Sequence, residues 1–212
     1  SLLVDTTLSS INEIRPAEMY QYRTFHVMEF CNLGSLEQAM SNGVFRNAHD
    51  EPKMLNILRS ALDIAKGMCF LHSAKIIHGR LTPANILLKG DSMDTRGFIC
   101  KVSDFGLTSL QEKQQAIEVT EGRNLSYRAP ETLRKGRAEA GSDVFAFGMI
   151  LWSMLTGKLP FSGIEPSETL SAILEGKRPD VPHTAPFKYE RLIKDCWHAD
   201  TTARPPFANI IE

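Results

Sequence analysis

The feature that most constrains this chain is a series of five short motifs that follow one another in a defined order. Any one of these motifs alone would be weak evidence, because short patterns recur by chance. Five together, in order and at consistent spacing, indicate one type of domain that uses them jointly. They are residues 78–85 (His-Gly-Arg-Leu-Thr-Pro-Ala-Asn), 104–106 (Asp-Phe-Gly), 129–131 (Ala-Pro-Glu), 142–148 (Ser-Asp-Val-Phe-Ala-Phe-Gly) and the end signature within 195–207.

The ordered motifs resemble those of eukaryotic protein kinases, whose catalytic loop reads His-Arg-Asp-Leu-Lys-x-x-Asn and is followed by Asp-Phe-Gly. The resemblance covers roughly residues 22–212 and is nearest to the tyrosine-kinase-like (TKL) group. Residues 83–85 (Pro-Ala-Asn) favour a serine/threonine-type ancestor. The resemblance implies an α+β, protein-kinase-like fold with a mainly helical C-lobe and the last strands of a truncated N-lobe.

Composition agrees with one cytoplasmic domain. The chain has 212 residues, of which 42% are hydrophobic, so it is long enough to bury one substantial core. Its formal charge of -1 gives no reason to expect nucleic acid as a partner. The four cysteines show no paired metal spacing, which favours reduced thiols. The longest apolar run, near residues 145–155, is too short for a membrane span.

The N-terminal part lacks the nucleotide-binding features that the resemblance implies. The first glycine is Gly34, so a glycine-rich loop and a lysine strand do not fit before it. We interpret residues 1–28 as a remnant of N-lobe strands, 29–34 as the hinge and 35–212 as the C-lobe of a partial kinase domain. By resemblance, Met28 is the gatekeeper, and Glu29 and Cys31 belong to the hinge that holds adenine.

Local patterns predict several elements of the C-lobe. Ser35 is expected to cap a short helix near residues 36–41, and Pro52 to lie near the start of a long one. Residues 86–88 and 98–102 read as two short strands joined by an enlarged turn. The predicted long helix has apolar residues at helical spacing, namely Leu55, Leu58, Ala61, Leu62, Ala65, Met68, Cys69 and Leu71.

Two residues match the magnesium ligands of kinases. Asn85 and Asp104 stand at the positions that hold the metal of Mg-ATP, and Leu87 matches the side chain under the adenine ring. ATP and Mg²⁺ are therefore the cofactors that the resemblance implies, with weak binding expected of this chain. The alternative is that Asn85 and Asp104 persist only as loop-forming residues.

Three other positions depart from the kinase pattern together. Arg80 replaces the aspartate that accepts the proton of the substrate hydroxyl, and arginine has no acceptor to offer. Thr82 replaces the lysine that steadies the transferring phosphate. Asn124 replaces the threonine that bonds both of these residues. Gly79 is a further departure, since arginine is usual there.

Other matches predict scaffolding roles. His78 and Phe105 resemble members of the regulatory spine, and Asp143 resembles the buried aspartate that holds the backbone of the catalytic loop. Glu131 and Arg204 resemble the ion pair that joins the activation segment to the last helices. Breaking that pair should cost roughly 3–5 kcal/mol.

Three hypotheses remain open at this point. The first is a pseudokinase, catalytically impaired, that binds or regulates a protein partner. The second is an active serine/threonine-type kinase in which another carboxylate or the substrate handles the proton, transferring the γ-phosphate of ATP to protein hydroxyls. The third is a fragment that does not fold alone, since a C-lobe without its partner lobe exposes the apolar floor of the cleft.

Overall fold

A computed structural model describes residues 27–105 and 122–212. The chain divides into two units, Ser1–Phe30 and Cys31–Glu212. Of the first unit, only residues 27–30 are described, and they form no regular secondary structure. The N-lobe strands predicted within residues 1–28 therefore lie outside the described residues, apart from the last two positions.

The second unit is mainly helical, as the sequence predicts. The described residues contain one two-stranded antiparallel sheet, of strands β1 (Ile86–Gly90) and β2 (Phe98–Val102), and three short 3₁₀ helices. The 3₁₀ helices are Pro83–Asn85, Gly122–Tyr127 and Thr201–Ala203. The α-helices in the described ranges are α1 (Leu36–Ser41), α2 (Met54–Ser73), α3 (Pro130–Lys135), α4 (Ala140–Thr156), α5 (Pro166–Leu174), α6 (Phe187–Cys196) and α7 (Phe207–Ile210).

Helix α1 begins with a capping box, which confirms the predicted role of Ser35. The Ser35 hydroxyl accepts from the backbone N–H of Gln38 at 3.3 Å, and the Gln38 side-chain oxygen accepts from the Ser35 N–H at 3.0 Å. Each residue thus satisfies a donor that a helix start leaves unpaired. The cap fixes where the chain turns into the helical part of the unit.

Helix α2 confirms the predicted long helix, and four of the eight apolar residues at helical spacing lie on its buried face. Leu55, Leu58 and Leu62 do not, since they are 59%, 48% and 38% exposed. Ile57 and Ile64 are fully buried instead, and the small residues of the same face let α2 pack against β2 and α4. The buried residues of α2 are Ile57, Ser60, Ala61, Ile64, Ala65, Met68 and Leu71.

The hairpin β1–β2 forms at the predicted strands, with Ile86 paired to Val102 and Gly90 to Phe98. Its turn is fixed by Arg96, whose side chain is 1% exposed. Arg96 bonds the carboxylates of Asp63 on α2 and Asp94 in the turn, both at 2.8 Å. The enlarged turn is therefore an anchored structure that ties the hairpin to α2.

Helix α4 is the centre of the unit, because every residue from Ser142 to Leu155 is buried. It packs against α6 at close range: a Cβ added to Gly148 would lie 2.9 Å from the Cβ of Cys196. Glycine at this position allows the two helix backbones to approach. The N-terminal end of α4 carries Asp143, which reaches the candidate site described below.

Candidate functional site

The backbone of the loop at residues 78–80 is held by one buried carboxylate. Asp143 Oδ2 accepts from the N–H of His78 at 2.9 Å, and Oδ1 accepts from the N–H of Gly79 at 2.8 Å. His72 Nε2 lies 2.8 Å from Asp143 Oδ2. Asp143 is 1% exposed, so these partners compensate a charge that would otherwise be costly to bury. The predicted scaffolding role of Asp143 is confirmed.

His78 is fully buried and bonded at both ring nitrogens. The N–H of Arg80 donates to His78 Nδ1 at 3.3 Å, which leaves Nε2 as the protonated nitrogen that donates to the carbonyl of Ser103 at 2.9 Å. Burial lowers the pKa of His78 and outweighs the nearby carboxylate of Asp143. A neutral His78 therefore links this loop to Ser103, the residue directly after β2. Phe105, its predicted spine partner, is 45% exposed, so its packing differs from the core role expected of it.

Gly79 has a left-handed backbone conformation, with φ of 73°. Side chains with a Cβ adopt this conformation at a cost of roughly 1–2 kcal/mol, whereas glycine does so freely. The conformation aims the Gly79 N–H at Asp143. Glycine in place of the usual arginine therefore lowers the conformational cost of the backbone geometry in which the Gly79 N–H binds Asp143.

The two predicted metal ligands lie on segments that are hydrogen-bonded to each other. The carbonyl of Asn85 accepts from both the N–H and the hydroxyl of Ser103, at 2.9 and 3.0 Å, and Asp104 follows directly. The Asn85 amide donates to the carbonyl of Arg80 at 2.8 Å, which leaves its side-chain oxygen as an acceptor. Asp104 is exposed and has φ of 57°.

This pair fits magnesium in donor type. Mg²⁺ prefers oxygen ligands and usually takes only one or two from a protein, with phosphate and water completing the shell. The carboxylate of Asp104 and the amide oxygen of Asn85 supply that number. A bound magnesium ion would neutralise phosphate charge at this position. No cluster of three or more histidine, cysteine or acidic residues suited to a metal occurs in residues 27–105 and 122–212.

The three positions that depart from the kinase pattern line one pocket. Arg80 and Thr82 come from the loop that precedes β1, and Asn124 comes from the 3₁₀ helix Gly122–Tyr127 on the opposite side. The pocket has a volume of about 290 Å³, and Asn85 lines it as well. Thr82 is buried, Arg80 is half-buried and Asn124 is exposed. The structure thus brings together residues that are far apart in sequence.

Sequence reasoning missed two further residues of this pocket. Arg128 and Thr132 flank the motif at residues 129–131, and both line the pocket. The hydroxyl oxygen of Thr132 is buried and has no hydrogen-bond partner in the described part of the chain. Arg128 was visible as a second cation near the motif, whereas nothing in the sequence signals the unpartnered hydroxyl.

The residues predicted to meet adenine fall in both units. Cys31 and Leu87 belong to the second unit and are half-buried. The Leu33 N–H donates to the carbonyl of Leu88 at 3.0 Å, and the Leu88 N–H donates to the carbonyl of Gly34 at 2.8 Å, so the chain after Cys31 runs along β1. Met28 and Glu29, in the first unit, are exposed.

Glu131 and Arg204 form the predicted ion pair. Arg204 Nη1 lies 2.6 Å from Glu131 Oε1, and Nη2 lies 3.1 Å from Oε2. The guanidinium also lies over the ring of Phe145, at 5.2 Å from its centroid. Arg178 lies over the same ring at 4.8 Å. The pair therefore ties α3 to the segment before α7.

Comparison with known proteins matches this architecture. The model of the family described as protein tyrosine and serine/threonine kinase matches residues 6–212. A probable serine/threonine-protein kinase, roco7 of Dictyostelium discoideum, is 34% identical over 94% of this chain. The serine/threonine-protein kinase STY17 of Arabidopsis thaliana and the dual specificity protein kinase zakA of Dictyostelium discoideum are each 33% identical over 88% of it. The chain covers 8%, 31% and 24% of the length of these three relatives.

Proposed function

Because this chain belongs to the protein tyrosine and serine/threonine kinase family, we propose that it is a catalytically impaired member, a pseudokinase of the tyrosine-kinase-like group that acts as a binding or regulatory module in signalling. The observation that carries the proposal is the position of Arg80. It stands where the family has its catalytic aspartate, and it lines one pocket with Thr82 and Asn124.

The chemistry of phosphoryl transfer explains why these residues matter. A kinase needs an acceptor for the proton of the substrate hydroxyl and a cation that steadies the transferring phosphate. Arg80 stays protonated and offers no acceptor. Thr82 carries no charge, so it cannot replace a lysine. Loss of a general base alone typically lowers a rate by ~10²–10⁴-fold.

The alternative is an active serine/threonine-type kinase in which another carboxylate accepts the proton. Among the described residues that line the pocket, Asp143 is the single carboxylate. It is 1% exposed, and it already accepts from two backbone N–H groups and contacts His72. A carboxylate so occupied is a poor base, which supports the impaired reading over the active one.

Nucleotide binding is proposed to be weak. The hinge and adenine positions (Met28, Glu29, Cys31 and Leu87) and the metal positions (Asn85 and Asp104) offer an adenine contact and two oxygen ligands, and we expect millimolar or weaker affinity for Mg-ATP. Isothermal calorimetry on the chain, with Asp104→Asn as the comparison, measures it. A micromolar dissociation constant would contradict the expectation.

The proposed partner is a protein in the cytoplasm, rather than a nucleic acid or a membrane. The formal charge of -1 is consistent with that choice. None of the helices within the described ranges is long and apolar enough to cross a membrane. We retain the division of the chain into an N-lobe remnant (1–28), a hinge (29–34) and a C-lobe (35–212) as part of the proposal.

The decisive experiment is restoration of activity. In the longest natural protein that contains this chain, the triple change Arg80→Asp, Thr82→Lys, Asn124→Thr replaces the base, the cation and the hydroxyl that joins them. Transfer of labelled γ-phosphate from ATP to a generic protein substrate should be absent in the natural protein and in each single variant. It should appear in the triple variant, because residues that act as one unit are strongly non-additive.

Two controls sharpen this test. Asp104→Asn on the triple background should abolish any restored transfer, which ties the signal to the metal position. Cooperative thermal unfolding of each protein shows that it is folded, and it separates a binding module from a fragment that does not fold. Sustained transfer by the natural protein that disappears on Asp104→Asn would establish the active kinase instead. A triple variant that is folded, binds Mg-ATP and stays silent would show that Arg80 is not the decisive residue.

A further inference from the structure

We infer that the pocket lined by Arg80, Arg128 and Thr132 binds a phosphomonoester, the phosphoryl group of a phosphorylated serine or threonine side chain. The inference rests on the proposed function, which it deepens by naming the ligand chemistry of the same pocket. A site that no longer transfers a phosphoryl group to a hydroxyl would here recognise a side chain that already carries one.

Charge favours an anion in this pocket. Arg80 and Arg128 both line it, and each guanidinium has five N–H donors in a planar fork that matches a phosphate. With five donors each, both can hold another partner and still bind a ligand. Asp143, the only carboxylate among the described lining residues, is turned to the N–H groups of His78 and Gly79. Its charge is therefore compensated within the loop.

The unpartnered hydroxyl of Thr132 indicates a missing ligand. Thr132 is 6% exposed, and its Oγ1 makes no hydrogen bond within the part of the chain that the structure describes. Buried polar groups are nearly always bonded, so an exception calls for an explanation. Thr132 lines the pocket together with the two arginines. The oxygen itself is closed off from solvent in this structure, so a phosphate oxygen accepts from it only after the Thr132 side chain turns toward the pocket.

The pocket also has neutral donors and an opening. The side chains of Asn85 and Asn124 line it, and each amide can donate to phosphate oxygens. Asn124 and Ala84 are exposed, whereas Thr82, Thr132 and Asp143 are buried. The pocket therefore opens to solvent between the loop before β1 and the 3₁₀ helix Gly122–Tyr127. A phosphorylated side chain could enter there with its anionic end toward Thr132.

The test measures binding to the full chain with three probes. They are a glycine–alanine peptide centred on phosphoserine, the same peptide with serine, and inorganic phosphate. Fluorescence anisotropy of the labelled peptides, with inorganic phosphate as competitor, gives the affinities. We expect saturable binding of the phosphopeptide that weakens as salt is raised, and no binding of the serine peptide. An affinity at least ten-fold above that of phosphate identifies a phosphorylated protein as the source. Equal affinities would identify free phosphate as the ligand and overturn the assignment to a protein side chain.

Three variants and a control locate the site. Arg80→Gln and Arg128→Gln should each weaken phosphopeptide binding by about 10- to 100-fold, the range of a lost hydrogen bond to a charged group. Thr132→Val should weaken it about five-fold while the melting temperature stays level or rises, because valine removes an unsatisfied hydroxyl at the same volume. Arg137→Gln is the control, since Arg137 is 74% exposed and does not line the pocket.

Several results would overturn the inference. They are the absence of saturable phosphopeptide binding at millimolar concentration, equal binding of the serine peptide, and unchanged affinity in both the Arg80→Gln and Thr132→Val variants. The melting curves keep the Thr132→Val result interpretable, since a loss of affinity without a loss of stability is not a folding defect. The phosphotransfer assay is independent: transfer by the natural protein would remove the proposed function, whereas failed phosphopeptide binding would leave it standing.

Discussion

Replacement of Arg204 by methionine is the sharpest test of how the helical unit is held together. Nη1 of Arg204 donates to Glu131 and to the carbonyl of Gly141, at 2.6 and 2.8 Å. Nη2 donates to Glu131 at 3.1 Å, and Nε donates to the carbonyl of His198 at 2.8 Å. The Arg204 side chain is 0% exposed and that of Glu131 is 10% exposed. Methionine keeps most of the volume and removes every one of these donors.

We expect Arg204→Met to lower the free energy of unfolding by about 3–5 kcal/mol, the range for breaking a buried ion pair by removing one partner. Glu131 would keep a hydrogen bond from Ser142 at 3.0 Å, which is too little to compensate a buried charge. Urea denaturation followed by circular dichroism measures the change. The double variant Glu131→Gln/Arg204→Met should recover part of the loss, since the uncompensated charge is then gone.

The matched control is Arg191→Met, because Arg191 is 72% exposed and pairs with a half-exposed Asp195 at 3.6 Å. Exposed pairs contribute about 0–1 kcal/mol. A loss in Arg204→Met no larger than in this control would refute the reasoning.

The pH dependence provides a second check. Burial alone would raise the pKa of Glu131, but the hydrogen bonds from Arg204 outweigh it and leave the pKa below its ordinary 4.5. The pair should therefore stabilise the fold fully above pH 4.5 and progressively less below it.

Two further predictions concern neighbouring parts of the fold. Arg96→Met should lower the free energy of unfolding by about 2–3 kcal/mol, which is below the range for fully buried pairs because Asp63 and Asp94 are 25% and 17% exposed. Hydrogen bonds from Arg96 lower the pKa of Asp94, so the wild type should lose this advantage over the variant in urea melts below pH 3.8. Gly148→Ala should lower the free energy of unfolding by about 1–3 kcal/mol, because the added methyl group overpacks against Cys196. The control Gly141→Ala, on the same helix, should leave the stability unchanged or raise it in the same melts. Equal effects of the two substitutions would contradict the close approach of α4 and α6.

Much of the helical unit follows from local sequence signals. The capping pattern at Ser35 and the two short strands predict elements that the structure confirms, because both depend on residues near one another in the chain. Asp143 and the Glu131–Arg204 pair are long-range features, and they were predictable only because the motif series fixes which residues meet. The resemblance to the kinase family indicated which residues would meet. Composition and periodicity alone did not indicate these long-range pairs.

The errors have a physical reason. Periodicity shows that α2 is a helix, but it does not show which arc of the helix faces the core. Leu55 and Leu58 lie on the arc of the helix opposite to the one that carries the fully buried Ile57 and Ile64, so both leucines stay exposed. The anchoring of the hairpin turn by Arg96 depends on a carboxylate more than thirty positions earlier in the chain. The Thr132 hydroxyl is significant only because nothing described bonds to it, and sequence cannot show that.

The bonds made by Asp143 bear on what the altered pocket can do. They act on backbone N–H groups of His78 and Gly79, so they do not depend on which side chain follows at position 80. The carbonyl of Arg80 is fixed in turn by the amide of Asn85 at 2.8 Å. Arg80 is therefore presented from a backbone held on both sides. A guanidinium on a fixed backbone loses less conformational entropy when it binds an anion than one on a free loop. The backbone that would orient a catalytic carboxylate thus holds Arg80 in position to bind a phosphate. Arg80 is still a poor base, because its guanidinium stays protonated.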